Sequence, residues 1–130
     1  MEHSCTLVVR SYECDSYGHV NNAVYLNYLE YARHEYLKWL GISSDELRDA
    51  GYGLWVAQLR IEYRKPAKMD DALTILTRPL RRRLIGGVLG QRILCTGDRM
   101  AEAEVTWVCV DSRGRPSPLP AVFEREGLAP

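Results

Sequence analysis

One stretch of the chain gathers reactive side-chain types closely: Tyr12-Glu13-Cys14-Asp15-Ser16-Tyr17-Gly18-His19-Val20-Asn21-Asn22-Ala23-Val24-Tyr25-Leu26-Asn27-Tyr28. A carboxylate, an imidazole and two amides lie just ahead of a proline- and glycine-free run that reads as a helix. At a helix N-terminus the free N–H groups and the positive end of the dipole polarise a carbonyl and hold a developing oxyanion. Asp15 is then placed to act on that carbonyl, by activating water or by direct attack. Plainer roles exist for each group. Asp15 is a common turn cap, Asn22 is a natural N-cap whose backbone alone would serve chemistry, and a lone His19 has no fixed meaning. Cys14 beside Asp15, with His19 nearby, has the residue types of a cysteine–histidine nucleophile. On a strand continuing through both, however, Cys14 and Asp15 face opposite ways and cannot serve one site.

The elements that must position these groups can be read from the pattern around them. Thr6 to Cys14 begins with β-branched and apolar residues and predicts a first strand, and Asp15 to Asn22 a polar turn. Asn22 to Leu40 predicts one long helix stopped by Gly41. Its polar positions Asn27, Glu30, His34 and Lys38 form a narrow stripe, and most of the remaining circumference is apolar, so a curved sheet rather than a single helix is needed to cover it. Glu30, one turn before His34, reads as a solvated ion-pair partner rather than a catalyst. Ser43-Ser44-Asp45-Glu46 has the spacing of a capping box and predicts a short second helix to about Ala50. Strict alternation in Leu59–Arg64 and in Ala101–Val105 predicts strands, with less regular ones over Ala72–Thr77 and Val88–Cys95. Turns fall at Pro66–Asp71, Gly86-Gly87 and Gly97-Asp98. The order predicts an α+β fold, a long helix packed on one antiparallel sheet. The tail beyond Asp111, with Pro116, Pro118 and Pro120, reads as an irregular or loosely ordered end.

The 130 residues, 46% of them hydrophobic, suit a single domain over 1–130 with its core at about 6–116. Lysine plus arginine equals aspartate plus glutamate at 17 each, so no global charge favours nucleic acid or an anionic membrane. Locally the balance differs, with nine basic residues against three acidic ones between Arg60 and Arg92, a segment able to face an anion. Within it Arg81-Arg82-Arg83 reads equally as a solvated strand edge or, with Arg64, Lys65 and Lys68, as a phosphate contact. The start of the chain lacks the pattern of a signal peptide and no apolar run reaches membrane-spanning length, so a soluble cytoplasmic protein is expected. Cys5, Cys14, Cys95 and Cys109 are too scattered for a metal knuckle or redox pair and read as small core residues.

The run Asp15-Ser16-Tyr17-Gly18-His19-Val20-Asn21-Asn22, followed by Tyr25 and Tyr28, resembles the signature of the hotdog-fold thioesterases of the 4-hydroxybenzoyl-CoA thioesterase and YbgC-like group. It is also similar to that of the plant acyl-carrier-protein thioesterases. The resemblance extends through Tyr63, Pro66-Ala67 and Asp70-Asp71 to the last strands, roughly Leu7 to Pro116. It implies the hotdog fold, a long central helix wrapped by the sheet, and pairing into homodimers or homotetramers with sites at the dimer interface. It implies hydrolysis of an acyl-CoA or acyl-carrier-protein thioester without metal or cofactor. Asp15 is then the catalytic carboxylate, the backbone N–H near Asn22 polarises the carbonyl, and His19 supports the site. Tyr17, Tyr25, Arg64, Lys65 and Arg82 are candidates for contact with substrate, and Tyr52, Leu54 and Trp55 for setting pocket depth. Where the plant enzymes carry asparagine two positions after the aspartate, this chain has Tyr17. Two alternatives share the scaffold: an acyl-CoA dehydratase or hydratase, and a non-catalytic module that binds acyl thioesters.

Overall fold

The computed structural model describes all residues, 1–130. In chain order the elements are β1 (His3–Val8), a 3-10 turn (Ser11–Glu13), α1 (Val24–Trp39), α2 (Ser44–Asp49), β2 (Gly53–Tyr63), β3 (Ala72–Arg83), β4 (Gly86–Cys95), β5 (Asp98–Val110) and two further 3-10 turns (Ala121–Phe123 and Glu126–Leu128). The five strands form one sheet in the order β1-β3-β4-β5-β2, and every neighbouring pair is antiparallel. The α+β arrangement expected of the sequence is the one adopted, with α1, about 24 Å long at 1.5 Å per residue, lying on the sheet.

Period-two alternation decides which side chains face that helix. On β5 the residues Ala101, Ala103, Val105, Trp107 and Cys109 are buried, while Glu102 and Glu104 between them lie on the outer face in ion pairs with Arg64, Arg99 and Arg60. From β3 and β4 come Leu73, Ile75 and Ile93, and α1 presents Tyr25, Tyr28, Leu29, Ala32 and Tyr36 to them. Each fully buried side chain of the size of Leu29 or Ile75 contributes about 1.5–3 kcal/mol. One buried polar link joins the layers: Gln91 Nε2 donates to the Leu29 carbonyl at 3.0 Å and to Thr77 Oγ1 at 3.1 Å, and Arg33 donates to Gln91 Oε1 at 3.1 Å. The sheet covers only part of the helix, leaving Leu26, Tyr31 and Trp39 exposed.

Three expectations are corrected. The first strand stops at Val8, not Cys14, because the Glu13 side chain accepts the Arg10 N–H at 2.7 Å and closes a 3-10 turn instead. The tail is ordered: Leu119, Phe123 and Leu128 are buried, Tyr36 donates to the Gly127 carbonyl, and Arg125 donates to the Leu40 and Gly41 carbonyls that end α1. Those last carbonyls have no partner within the helix, so a distant arginine satisfies them. Arg81-Arg82-Arg83 is not a uniform charged edge. Pro79 pairs with Leu89 and Arg81 with Val88, so Leu80 is an extra residue, a β-bulge. Beyond it Arg82 points inward, over the Trp107 ring at 5.1 Å and onto Glu124 and the Gly86 carbonyl, while Arg81 and Arg83 are exposed.

Candidate active site

Asp15 sits in a tight turn that its own carboxylate organises. Oδ1 accepts the N–H of Tyr17 at 2.9 Å and of His19 at 3.3 Å, the backbone closes through Asp15 N–H to the His19 carbonyl at 2.7 Å, and Gly18 takes the left-handed φ of 80° the turn requires. These bonds leave Oδ2 without a protein partner. One oxygen of Asp15 therefore caps the turn, and the other is free. The turn is anchored at its far side, where Val20 N–H donates to the Ala67 carbonyl at 2.8 Å and His19 bridges to Lys68.

The turn that leads into α1 is held by Asn21, not by Asn22, and the N-cap itself is Ala23, with no side-chain cap. Asn21 Oδ1 accepts the Ala23 N–H at 2.9 Å and its carbonyl accepts that of Val24 at 2.9 Å. The Asn22 N–H meets no acceptor in the protein, and the Asn22 carbonyl accepts the Tyr63 hydroxyl at 2.8 Å. An N–H left open at the start of a helix is a donor for an anion or a polarised carbonyl.

Asp15, His19, Val20, Asn22, Tyr25, Tyr63, Arg64, Lys65 and Pro66 line one cleft of about 320 Å³. The Tyr25 ring lies under it, edge-on to Tyr63 at 5.2 Å, and its hydroxyl accepts the Ala67 N–H at 3.0 Å. Burial pushes the Tyr25 hydroxyl above the ordinary tyrosine pKa. Tyr17 is 84% exposed at the tip of the turn. Arg64 is paired with Glu62 and Glu102, and Lys65 with Asp98, all on the rim. Arg82 is not brought here. It stands level with Trp107 on β5, whereas Tyr63 pairs with Ala101, a separation of about 20 Å at 3.4 Å per residue. Glu30 is exposed on α1 and does not line the cleft. Tyr52, Leu54 and Trp55 line a second cleft of about 550 Å³ with Leu37, Leu47 and Val110, at the opposite end of β2.

Cys14 is not on a strand continuing into Asp15; it bridges to Val20 and packs against the core. The cysteine–histidine arrangement fails for that reason rather than for strand alternation. Cys5 and Cys109 are pushed above the ordinary thiol pKa by burial, away from the reactive thiolate.

With this geometry in view, comparison with known proteins assigns the family. Residues 9–126 match the thioesterase-like superfamily, and the chain belongs to it. The chain is 33% identical over 127 residues to the chloroplastic acyl-acyl carrier protein thioesterase ATL3 of Arabidopsis thaliana, covering 92% of this chain and 64% of that protein. It is 36% identical over 109 residues to the long-chain acyl-CoA thioesterase FadM of Escherichia coli, covering 79% of each. The chain thus spans somewhat less than two thirds of the length of the plant relative. The crystal structure of a probable thioesterase from Bartonella henselae superposes with a TM-score of 0.88 at 27% identity, over 92% of this chain and 100% of that one. The α+β layout described above is the hotdog fold.

Proposed function

We propose that the protein hydrolyses an acyl thioester, of coenzyme A or of an acyl carrier protein, to a free acid and a thiol. One juxtaposition carries the reading: a carboxylate with one pinned and one free oxygen shares a cleft with a helix N-terminal N–H that has no acceptor. With the thioester carbonyl oxygen on the Asn22 N–H, Asp15 Oδ2 takes a proton from water as that water attacks the carbonyl carbon. The oxyanion collapses, the C–S bond breaks, and the thiolate leaves and is protonated. Direct attack by Asp15 would instead pass through a mixed anhydride that water then opens. In a single turnover in 18O-labelled water, label in the Asp15 carboxylate would mark an anhydride opened at the aspartyl carbon, and capture of the acyl group on Asp15 by hydroxylamine would mark an anhydride opened at either carbon. His19, on the cleft wall, orients the water or acyl group. Tyr25 forms the floor, Tyr17 at the exposed tip of the turn is free to meet substrate, and Lys68, with Arg64 and Lys65 once they exchange Glu62, Glu102 and Asp98 for substrate, supplies positive charge for coenzyme A phosphates or for an acidic carrier protein.

The unit that works is at least a homodimer. β2 is an edge strand with Trp55, Val56 and Tyr63 exposed, and edges of that length are normally covered. A twofold pairing of two β2 edges is antiparallel and sets the Gly53–Trp55 end of one copy beside the Tyr63 end of the other. The apolar cleft at Tyr52, Leu54 and Trp55 of one subunit then adjoins the Asp15 cleft of its partner and sets acyl depth. The exposed Leu26 and Tyr31 on α1 offer a further face for a homotetramer. Four free cysteines suit the reducing cytoplasm, and no helix is long and apolar enough to cross a membrane.

Incubation with saturated acyl-CoA thioesters of graded length and a thiol reagent tests the proposal. Thiol release is expected, because a saturated acyl group offers nothing to hydrate. Tight binding without release would assign the chain to acyl-thioester binding instead.

A further inference from the structure

Glu13, two residues before Asp15, is a carboxylate largely withdrawn from water, its side chain 12% exposed. Such a group needs partners to offset lost hydration, and here the partners come from both sides of the turn. Oε1 accepts the Arg10 N–H at 2.7 Å and the Tyr28 hydroxyl at 2.9 Å, and the Arg10 guanidinium lies 3.4 Å from Oε2. The Glu13 carbonyl accepts the Asn21 N–H at 2.9 Å. Its side chain is thus bonded to the buried face of α1 and its backbone to Asn21, which holds the turn into α1. Burial and the bond to Glu13 push the Tyr28 hydroxyl far above the ordinary tyrosine pKa, so it stays a donor at any pH at which hydrolysis would be followed.

The turn from Cys14 to Val20 starts and ends on this clamp. Within the turn, Tyr17 and His19 aim the Asp15 carboxylate. Two backbone bonds tie the segment that carries Asp15 to the one that leads to the Asn22 N–H: Asp15 N–H to the His19 carbonyl at 2.7 Å inside the turn, and Asn21 N–H to the Glu13 carbonyl at 2.9 Å at its base. The second, nearer the start of α1, is made by the residue whose side chain Tyr28 holds. We propose that Glu13, held by Tyr28, is a positioning residue that sets the carboxylate against the oxyanion donor; this rests on the hydrolytic reading above. It touches no reacting atom. Displacements of the order of 1 Å between reacting groups cost about a hundredfold in rate, so a loosened clamp acts on turnover rather than on binding.

Three single variants and one double variant, with Asp15→Asn as the control, test this, with thiol release from an acyl-CoA as one readout and amide hydrogen exchange at Tyr17 and His19 as another. Glu13→Gln keeps an oxygen that can accept both donors, and is expected to retain kcat within about threefold. Glu13→Ala removes the clamp and is expected to lower kcat by roughly ten- to a hundredfold with KM little changed, and to speed exchange at both amides. Tyr28→Phe breaks the same link from the other end, and gives the test should Glu13→Ala fail to fold. Glu13→Ala combined with Tyr28→Phe should be no slower than Glu13→Ala alone, since both sever one interaction. Full kcat in Glu13→Ala while Asp15→Asn is inactive would overturn the positioning role and leave the hydrolytic reading intact. A loss confined to KM, or a glutamine variant as impaired as alanine, would also overturn it. Should the unaltered protein release no thiol, hydrolysis falls, and exchange alone decides whether Glu13 holds the turn.

Discussion

Replacing Asp15 by asparagine separates the chemical role of that residue from its structural one. Asparagine keeps an Oδ1 able to accept the N–H groups of Tyr17 and His19, at 2.9 and 3.3 Å in the native turn, and its amide nitrogen falls where Oδ2 has no protein partner to lose. Two hydrogen bonds to a charged acceptor become two to a neutral one, a weakening of about 1 kcal/mol at most for so exposed a pair. Turnover responds differently. Loss of an acid–base group costs about 10²- to 10⁴-fold, or about 2.7–5.4 kcal/mol of barrier at 1.36 kcal/mol per decade. Asp15→Asn should therefore lower kcat by at least two orders of magnitude, with KM and the urea midpoint almost unchanged. Asp15→Ala, which deletes both turn bonds, should be no slower but less stable by about a further 1–2 kcal/mol. The assay is continuous thiol release beside urea unfolding of the same preparations. An asparagine variant turning over within about threefold of the native rate, with folding intact, would refute the assignment of Asp15 as base or nucleophile.

Other outcomes follow from single contacts. Tyr63→Phe keeps the ring against Tyr25 but removes the donor to the Asn22 carbonyl, so kcat should fall about tenfold or less with KM steady, as measured by initial rates. Tyr36→Phe leaves the buried Gly127 carbonyl without its donor and should cost about 1–3 kcal/mol in urea unfolding. Alkaline pH should destabilise the fold. Tyr25, Tyr28, Tyr36, Cys5 and Cys109 all have pKa values raised in the folded state, chiefly by burial, from ordinary values of 10.0 for tyrosine and 9.0 for cysteine. The unfolded chain then releases protons first. The stability these groups contribute is complete below about pH 9 and is lost as pH rises beyond it, which urea midpoints measured from pH 8 to pH 11 should follow. A midpoint that stays level across that range would contradict the burial of these hydroxyls and thiols.

What could be read from the residues alone was whatever depends on near neighbours. The alternation of Leu59–Arg64 and Ala101–Val105, the Ser43 cap of α2 and the polar turn before α1 are all local patterns, and each appears where expected, although of the capping box only the Glu46 N–H to Ser43 Oγ bond forms. Longer-range terms were silent. Asn21 and Asn22 are equivalent by propensity, and only the geometry of the Asp15 turn makes the first hold the entry to α1 and leaves the N–H of the second free. Glu13 had no pattern to distinguish it, since its partner Tyr28 lies on the buried face of the helix. The tail looked loose because its proline spacing is visible, whereas the contacts of Arg125 with Leu40 and of Glu124 with Arg82 span much of the chain. Register was equally hidden. No composition rule says that a strand will bulge at Leu80, and the bulge is what sorts three consecutive arginines into one inside and two outside.

That bulge also makes β3 unequal along its length towards changes in residue number. An insertion or deletion elsewhere in the strand would exchange its inner and outer faces, sending Leu73 or Ile75 outward or expelling Arg82 from Trp107 and Glu124. Leu80 alone has no cross-strand partner in the β3–β4 ladder beyond Thr74, so its removal would let Pro79 keep Leu89 and Arg81 keep Val88. The cost would be confined to the outer face, where the Leu80 side chain covers Gly90. β3 thus holds a single position at which the chain could shorten by one residue and keep every other pairing in the strand.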